Sequence, residues 1–344
     1  MNSVTQEIAA LHARISADVA ILGHHYQSDA VIQHTDFRGD SLELARRVPD
    51  IKAKHIVFCG VYFMAESAAL LASPGQRTYL PAPDADCVMS RMAPSDLVET
   101  VLVRLNSGKQ RVLPLAYVNT SLAVKAVVGR FGGAVCTSAN AGKMLAWAMN
   151  EADVVLFLPD KNLGLNTARQ IGLDAAAIRT LNIRGKAKES TAQSIEGARL
   201  LLWPGCCAIH ARFTVRQIEA MRTKHLGCIV AVHPECPPGV AAAADTAGST
   251  STLIRLVERA PDGSTIVIGT ETNLVNRLMR EHDQRLTILP LEISLCSNMA
   301  KTTETHLLHC LRKILDGTAP PLDTKKALRE PAQQSLTRML SVCS

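Results

Sequence analysis

The sequence predicts an α/β fold. Three copies of one unit, each a short parallel sheet covered by helices on both faces, pack around a pseudo-threefold axis with their strand ends facing a central cleft. Three observations predict it. A pattern of strand, hydroxyl-bearing turn, second strand, third apolar segment and cysteine occurs three times along the 344 residues. The spacings inside the pattern agree between copies. Short apolar runs alternate with helical periods, as parallel strands joined by helical crossovers require.

The elements follow in order. Residues 1–18 read as a polar amphipathic helix. It has no basic start, apolar centre or cleavage site, so no secretory signal is expected. The first copy has a strand at 20–26, the turn Gly39-Asp40-Ser41, a helix at 41–48, a strand at 56–60, and an apolar segment at 79–81 before Cys87. The second has a strand at 112–119, the turn Cys136-Thr137-Ser138-Ala139-Asn140, a helix at 139–150, a strand at 154–158, and a segment at 200–203 before Cys207. The third has a strand at 229–235, the turn Gly248-Ser249-Thr250-Ser251-Thr252, a helix at 251–259, a strand at 265–270, and a segment at 286–290 before Cys296. From strand-end residue to hydroxyl the gaps are 17 (24 to 41), 21 (117 to 138) and 17 (233 to 250). From the second strand's end to the cysteine they are 27 (60 to 87), 49 (158 to 207) and 26 (270 to 296). The surplus of the middle copy falls at 173–196, includes the basic piece Arg184-Gly185-Lys186-Ala187-Lys188, and reads as a surface insertion without chemistry. Ala319-Pro320-Pro321 marks a break before a helical tail. The expected units are therefore 1–102, 103–223 and 224–318, with a C-terminal tail at 319–344.

Composition bounds the function. Hydrophobic residues at 47% and charged residues at 20% supply a core and exclude disorder. The longest apolar runs, such as 154–158, are strand-length, so no membrane span is expected. Aromatics at 3% are too few to stack single-stranded bases, and the net charge of +6 is scattered without a run of five basic residues. That pattern favours small anions over nucleic acid. Ten cysteines without a signal peptide point to a reducing compartment. None forms a C-x-x-C pair, which argues against a zinc ribbon or a thioredoxin-like site. Taken singly, most read as small buried apolar residues. The three that close the copies stand apart because their positions match. Ligands of parallel sheets gather at the carboxyl ends of the strands, where these cysteines and the polar strand-end residues lie.

Nine short motifs then stand in a fixed order: His24-x-Tyr26-Gln27, Gly39-Asp40-Ser41-Leu42-Glu43, Tyr117-Val118-Asn119-Thr120-Ser121, Cys136-Thr137-Ser138-Ala139-Asn140-Ala141, Pro159-Asp160-Lys161-Asn162-Leu163-Gly164, Gly205-Cys206-Cys207-Ala208-Ile209-His210, His233-Pro234-Glu235, Gly248-Ser249-Thr250-Ser251 and Cys296-Ser297-Asn298-Met299. In their number and order the chain resembles the quinolinate synthase family, from about residue 19 to 343 and least in the insertion. The tail, with Ala327-Leu328 and Arg338-Met339-Leu340, resembles that family's C-terminal helix.

The resemblance implies three three-layer αβα domains and a cytoplasmic enzyme of de novo NAD synthesis. It implies a [4Fe-4S] cluster held by Cys87, Cys207 and Cys296, one from each domain. Three thiolates leave one iron open to act as a Lewis acid. On the residues alone, a three-thiolate zinc site with an open position is an alternative. The implied reaction condenses iminoaspartate with dihydroxyacetone phosphate to quinolinate, phosphate and two waters. His24, Ser41, Ser138 and Thr250 match positions that anchor anionic groups. Tyr117, Asn119, His233 and Glu235 match positions nearest the reacting atoms, with Glu235 as the main proton carrier, His233 and Tyr117 as its partners, and Tyr26 closing the site. A lone His or Tyr at a strand end is ordinarily structural, and the convergence of three copies tips the balance. The resemblance also implies functional coupling to L-aspartate oxidase as the source of iminoaspartate. Rival readings are another cluster-dependent dehydratase and a non-catalytic iron–sulfur redox sensor; a carrier would ordinarily use four cysteines and a closed cluster. Two features depart from the family pattern. His25 stands where Asn or Tyr is usual, and Cys206 doubles the cysteine of the second motif. Adjacent residues project in different directions, so the two do not both face one iron; the family's motif Gly-x-Cys-x-x-His, matched by Gly205 to His210, implies Cys207 as the ligand and leaves Cys206 as a small buried residue.

Overall fold

Residues 3–344 are described by this computed structural model; Met1 and Asn2, the start of the expected first helix, lie outside them. Thirteen strands among these residues form three parallel sheets. The first holds β1 (Val19–His24), β2 (Phe37–Gly39), β3 (His55–Cys59) and β4 (Arg77–Tyr79) in the order β2-β1-β3-β4. The second holds β5 (Val112–Tyr117), β6 (Ala134–Cys136), β7 (Val154–Leu158), β8 (Ile178–Thr180) and β9 (Leu200–Leu202) in the order β6-β5-β7-β9-β8. The third holds β10 (Ile229–Val232), β11 (Thr246–Ala247), β12 (Thr265–Gly269) and β13 (Thr287–Pro290) in the order β11-β10-β12-β13. One topology thus occurs three times. Every residue of β1, β5 and β7 is buried, which is why these strands read as continuous apolar runs rather than as alternation.

Two details differ from the sequence reading. Each unit has a fourth strand, the edge strand β2, β6 or β11, in what reads as the approach to the hydroxyl turn. At two or three residues these strands are too short for any period to register. The insertion at 173–196 supplies β8, which pairs with β9 and widens the second sheet by one strand.

The helix after each edge strand places the hydroxyl residues. Asp40 caps Ser41–Arg47 by accepting from the N–H groups of Leu42 and Glu43, and Glu43 closes the capping box. Ser249 caps Thr250–Arg259. In the second unit Asn140 precedes Ala141–Glu151 and turns its side chain back to the N–H of Thr137, at 2.7 Å. A second helix follows the next strand of each unit, at Tyr62–Leu71, Lys161–Gln170 and Thr272–Glu281.

The chain ends strap the units together. Helix Glu304–Leu315 follows the third sheet in sequence but packs on the first, where Leu307 and Leu311 meet Ile8 and Leu11 of helix Ser3–Ile15 and Ile21 of β1. The tail is the helix Lys326–Val342, as expected, and it lies on helix Leu122–Arg130 of the second unit.

Candidate active site

The carboxyl ends of the three sheets converge on a cavity of about 120 Å³, placed where parallel sheets collect ligands. His24, Tyr26 and Ser41 reach it from the first unit, Tyr117, Asn119 and Ser138 from the second, and His233, Glu235 and Thr250 from the third. Cys87, Cys207 and Cys296 line it as well. All twelve residues singled out from the sequence therefore face one space.

Side-chain amides and guanidinium groups hold the loops that carry them. Arg277, buried in the third unit, donates to the carbonyls of His25 and Gln27 and to Asp29, while Asn273 donates to the carbonyl of Tyr26 at 3.2 Å. Asn162 and Asn166, on helix Lys161–Gln170, donate to the carbonyls of Glu235 and of Pro234 and Cys236. Each of these two loops is thus tied to a neighbouring unit as well as to its own.

A buried hydrogen-bonded chain crosses the units. The Thr250 hydroxyl lies 3.4 Å from the Tyr26 oxygen, which is 2.8 Å from Thr270 Oγ1. Thr270 is 3.0 Å from His210 Nε2, and His210 Nδ1 is 2.6 Å from Glu235 Oε2. The His210 ring stacks on His233 at 4.5 Å. Burial alone would raise Glu235, yet His210 beside it and the Tyr117 hydroxyl hold its carboxyl well below the usual range. Burial drives His24 and His233 down to about 3, so both are neutral imidazoles near pH 7. Burial, then the charge of Glu235, pushes Tyr117 and Tyr26 well above 10. Among the described lining residues there is no lysine or arginine, so an anion here would meet hydroxyls, imidazoles and amides, beside the carboxyl groups of Asp40 and Glu235. Asn119 Oδ1 is buried without a partner, an acceptor open to a ligand. A second cleft of about 700 Å³ shares Asp40 and Ser138 with the cavity and carries Arg46, Lys143 and Arg255.

The three cysteines suit a soft metal group. All are unpaired and partly buried, and Met89 and Met299 line the same cavity. Burial pushes Cys87 up to about 12 and raises Cys207 and Cys296. Alone they stay protonated; a bound cation reverses that preference and takes them as thiolates. Among the described residues, donor atoms of Cys207, His210 and Glu235 also lie within 4.8 Å of one another.

Sequence reasoning gave no role to His210, Thr270, Asp160 or Glu271. His210 closes a quoted motif, three residues past Cys207, and that spacing was the available signal. Cys206 is partly exposed rather than buried; it stays outside the cavity lining, with its N–H toward the Met92 sulfur. Among the described residues no helix is long and apolar enough to cross a membrane.

Residues 6–341 match the family model described as NadA, quinolinate synthetase A protein. The chain is 43% identical to quinolinate synthase of Corynebacterium glutamicum over 330 residues, covering 94% of this chain and 84% of the relative. It is 42% identical to quinolinate synthase of Halalkalibacterium halodurans, covering 95% and 90%, and 38% identical to that of Acidobacterium capsulatum, covering 99% and 93%.

Proposed function

The chain belongs to the quinolinate synthase family, enzymes of NAD biosynthesis, and from that premise we propose that it condenses iminoaspartate with dihydroxyacetone phosphate to give quinolinate, phosphate and two waters. The observation that supports this most is the convergence, in one cavity, of three thiols and nine polar side chains drawn from three units. Cys87, Cys207 and Cys296 are proposed to hold a [4Fe-4S] cluster, which when bound supplies a Lewis-acidic iron with a free coordination position.

The chain's own residues do the rest. Ser41, Ser138, Thr250 and His24 hold the carboxylates and phosphate by neutral hydrogen bonds, while Arg46, Lys143 and Arg255 in the adjoining cleft draw anions toward the cavity. Glu235, held ionised, is ready to take a proton from substrate carbon or nitrogen and to return it to a departing oxygen. His210 fixes that carboxylate through Nδ1, and His233 stacks beside it. Tyr117, with its proton held tightly, donates rather than ionises. Asn119 offers its free Oδ1 to a substrate N–H or O–H. Tyr26 closes the first unit over the site, tied to Thr250 and Thr270. The reading carries with it a cytoplasmic setting, where thiols stay reduced, and coupling to an iminoaspartate supplier such as L-aspartate oxidase.

The test is quinolinate formation from the two substrates by protein purified without oxygen. Air should bleach the protein and abolish activity together; undiminished turnover in metal-free protein overturns the reading. A second reading, favoured by the proximity of Cys207, His210 and Glu235, is a single ion held by those three groups. Iron without acid-labile sulfide would identify it.

A further inference from the structure

The three cysteines sit in loops that share no local sequence, yet each presents its main-chain N–H to a carboxylate. Cys207 N–H donates to Asp160 Oδ2 at 3.1 Å, Cys296 N–H to Glu271 Oε1 at 3.3 Å, and Cys87 N–H to Asp86 Oδ1 at 2.8 Å. Asp160 and Glu271 occupy the same position in their repeats, two residues past the ends of β7 and β12. Each also caps the helix that follows. Asp160 Oδ1 accepts from the N–H groups of Asn162 and Leu163, and Glu271 Oε2 from that of Asn273 at 2.7 Å. One oxygen of each acid thus serves the helix N–H groups and the other reaches the cysteine loop; Glu271 Oε1 also accepts from Asn273 Nδ2 at 3.2 Å.

A helix cap does not need an acid here. Ser121, Ser249 and Thr303 cap other helices of this chain with a single oxygen. Asp160 and Glu271 are both 0% exposed, and an acid at such a place is costly unless its hydrogen bonds require it. The second oxygen, on the cysteine N–H, supplies that requirement. In the first unit the equivalent position is Val61, the helix has no side-chain cap, and Asp86 takes the cysteine N–H instead.

We infer that Asp160 and Glu271 are positioning residues that tie the Cys207 and Cys296 loops to the rigid helix starts beside them and so aim the two sulfurs into the cavity. The inference rests on the proposed metal role of the cysteines, not on the reaction. It uses the geometry of two oxygens, not their charge.

Asp160→Asn and Glu271→Gln keep the shape and one oxygen for the cap, but turn an amide N–H₂ toward the cysteine N–H, donor against donor. After anaerobic reconstitution with ferrous iron and sulfide, each variant should melt close to the parent yet hold iron about 10–100-fold less tightly against a chelator, with an altered absorption spectrum. Asp160→Ser, which leaves only a cap, should lose iron to the same extent. Asp160→Glu, which restores two oxygens as position 271 has them, should recover most of it. Should the amide variants fail to fold, the contrast between Ser and Glu at 160 decides. Amide and serine variants that retain iron as tightly as the parent overturn the inference, as does a parent that binds no iron. A parent that binds iron and sulfide but makes no quinolinate overturns the proposed reaction and leaves this inference standing.

Discussion

Glu235 is 2% exposed, and an ionised carboxylate at that depth persists because His210 Nδ1 lies 2.6 Å from it and the Tyr117 hydroxyl donates to it. Glu235→Gln keeps the shape and an oxygen for His210 but cannot carry the proton. Turnover should fall about 10²–10⁴-fold with iron content unchanged, measured on protein kept from oxygen; near-parental turnover would remove Glu235 from the chemistry. The paired cysteines give a second residue-level test. Cys207 lines the cavity and Cys206 does not, so Cys207→Ser should lose most of the iron and all activity. Cys206→Ser should keep both and shift stability by no more than about 0.5 kcal/mol, as at an ordinary surface position. The reverse pattern would mean that the ligand is Cys206. The strand-end residues, from His24 to Thr250, were legible because each copy carries them at a matching offset. Thr270 was not, because its partners Tyr26 and His210 lie in other units, and nothing within one repeat records a contact between repeats.

At the scale of elements, helix Leu122–Arg130 packs tightly against the tail helix. A Cβ on Gly129 would stand 1.8 Å from the carbonyl oxygen of Pro331. Gly129→Ala gains about 1 kcal/mol of helix propensity, but the atom it meets is backbone and cannot step aside. Overpacking of this kind costs about 1–3 kcal/mol or more. The variant should melt at lower temperature and expose the tail to protease first; an unchanged or higher melting temperature would show that the two helices separate at no cost. The helices after the hydroxyl turns were readable from their apolar period, with ends within two residues of those expected, while the first helix ends at Ile15, three residues short of the expected 18. The edge strands β2, β6 and β11 were not, since two or three residues contain no full alternation. Membership in a sheet is then decided by the neighbouring strand, as for β8 in the insertion.

For the molecule as a whole, the buried imidazoles set the response to acid. His24 and His233 titrate at about 3 in the fold, against about 6.5 in an open chain. Between these values the unfolded chain binds more protons than the native one, so stability rises with pH across the window. The contribution is fully present above about pH 6.5 and is lost as pH falls toward 3. Denaturant midpoints between pH 7 and 4 should decline, and His233→Asn should reduce the slope. A parent with a flat midpoint over that range would show that these imidazoles do not enter the fold neutral and buried.

Three repeats, parallel sheets and the side of each sheet on which ligands collect are legible in strand-length apolar runs and in offsets repeated within the chain, which are local quantities. The twelve residues that line the common cavity needed the family's motifs as well, matched position by position. What joins the repeats is settled only in three dimensions. Helix Glu304–Leu315 returns to the first sheet, Asn162 and Arg277 hold loops of neighbouring units, and Asp160 and Glu271 divide their oxygens between a helix and a cysteine. Such contacts pair residues far apart in sequence. They are chosen by the cost of leaving a buried carbonyl, N–H or carboxylate without a partner, and that cost exists only once three surfaces have been brought together.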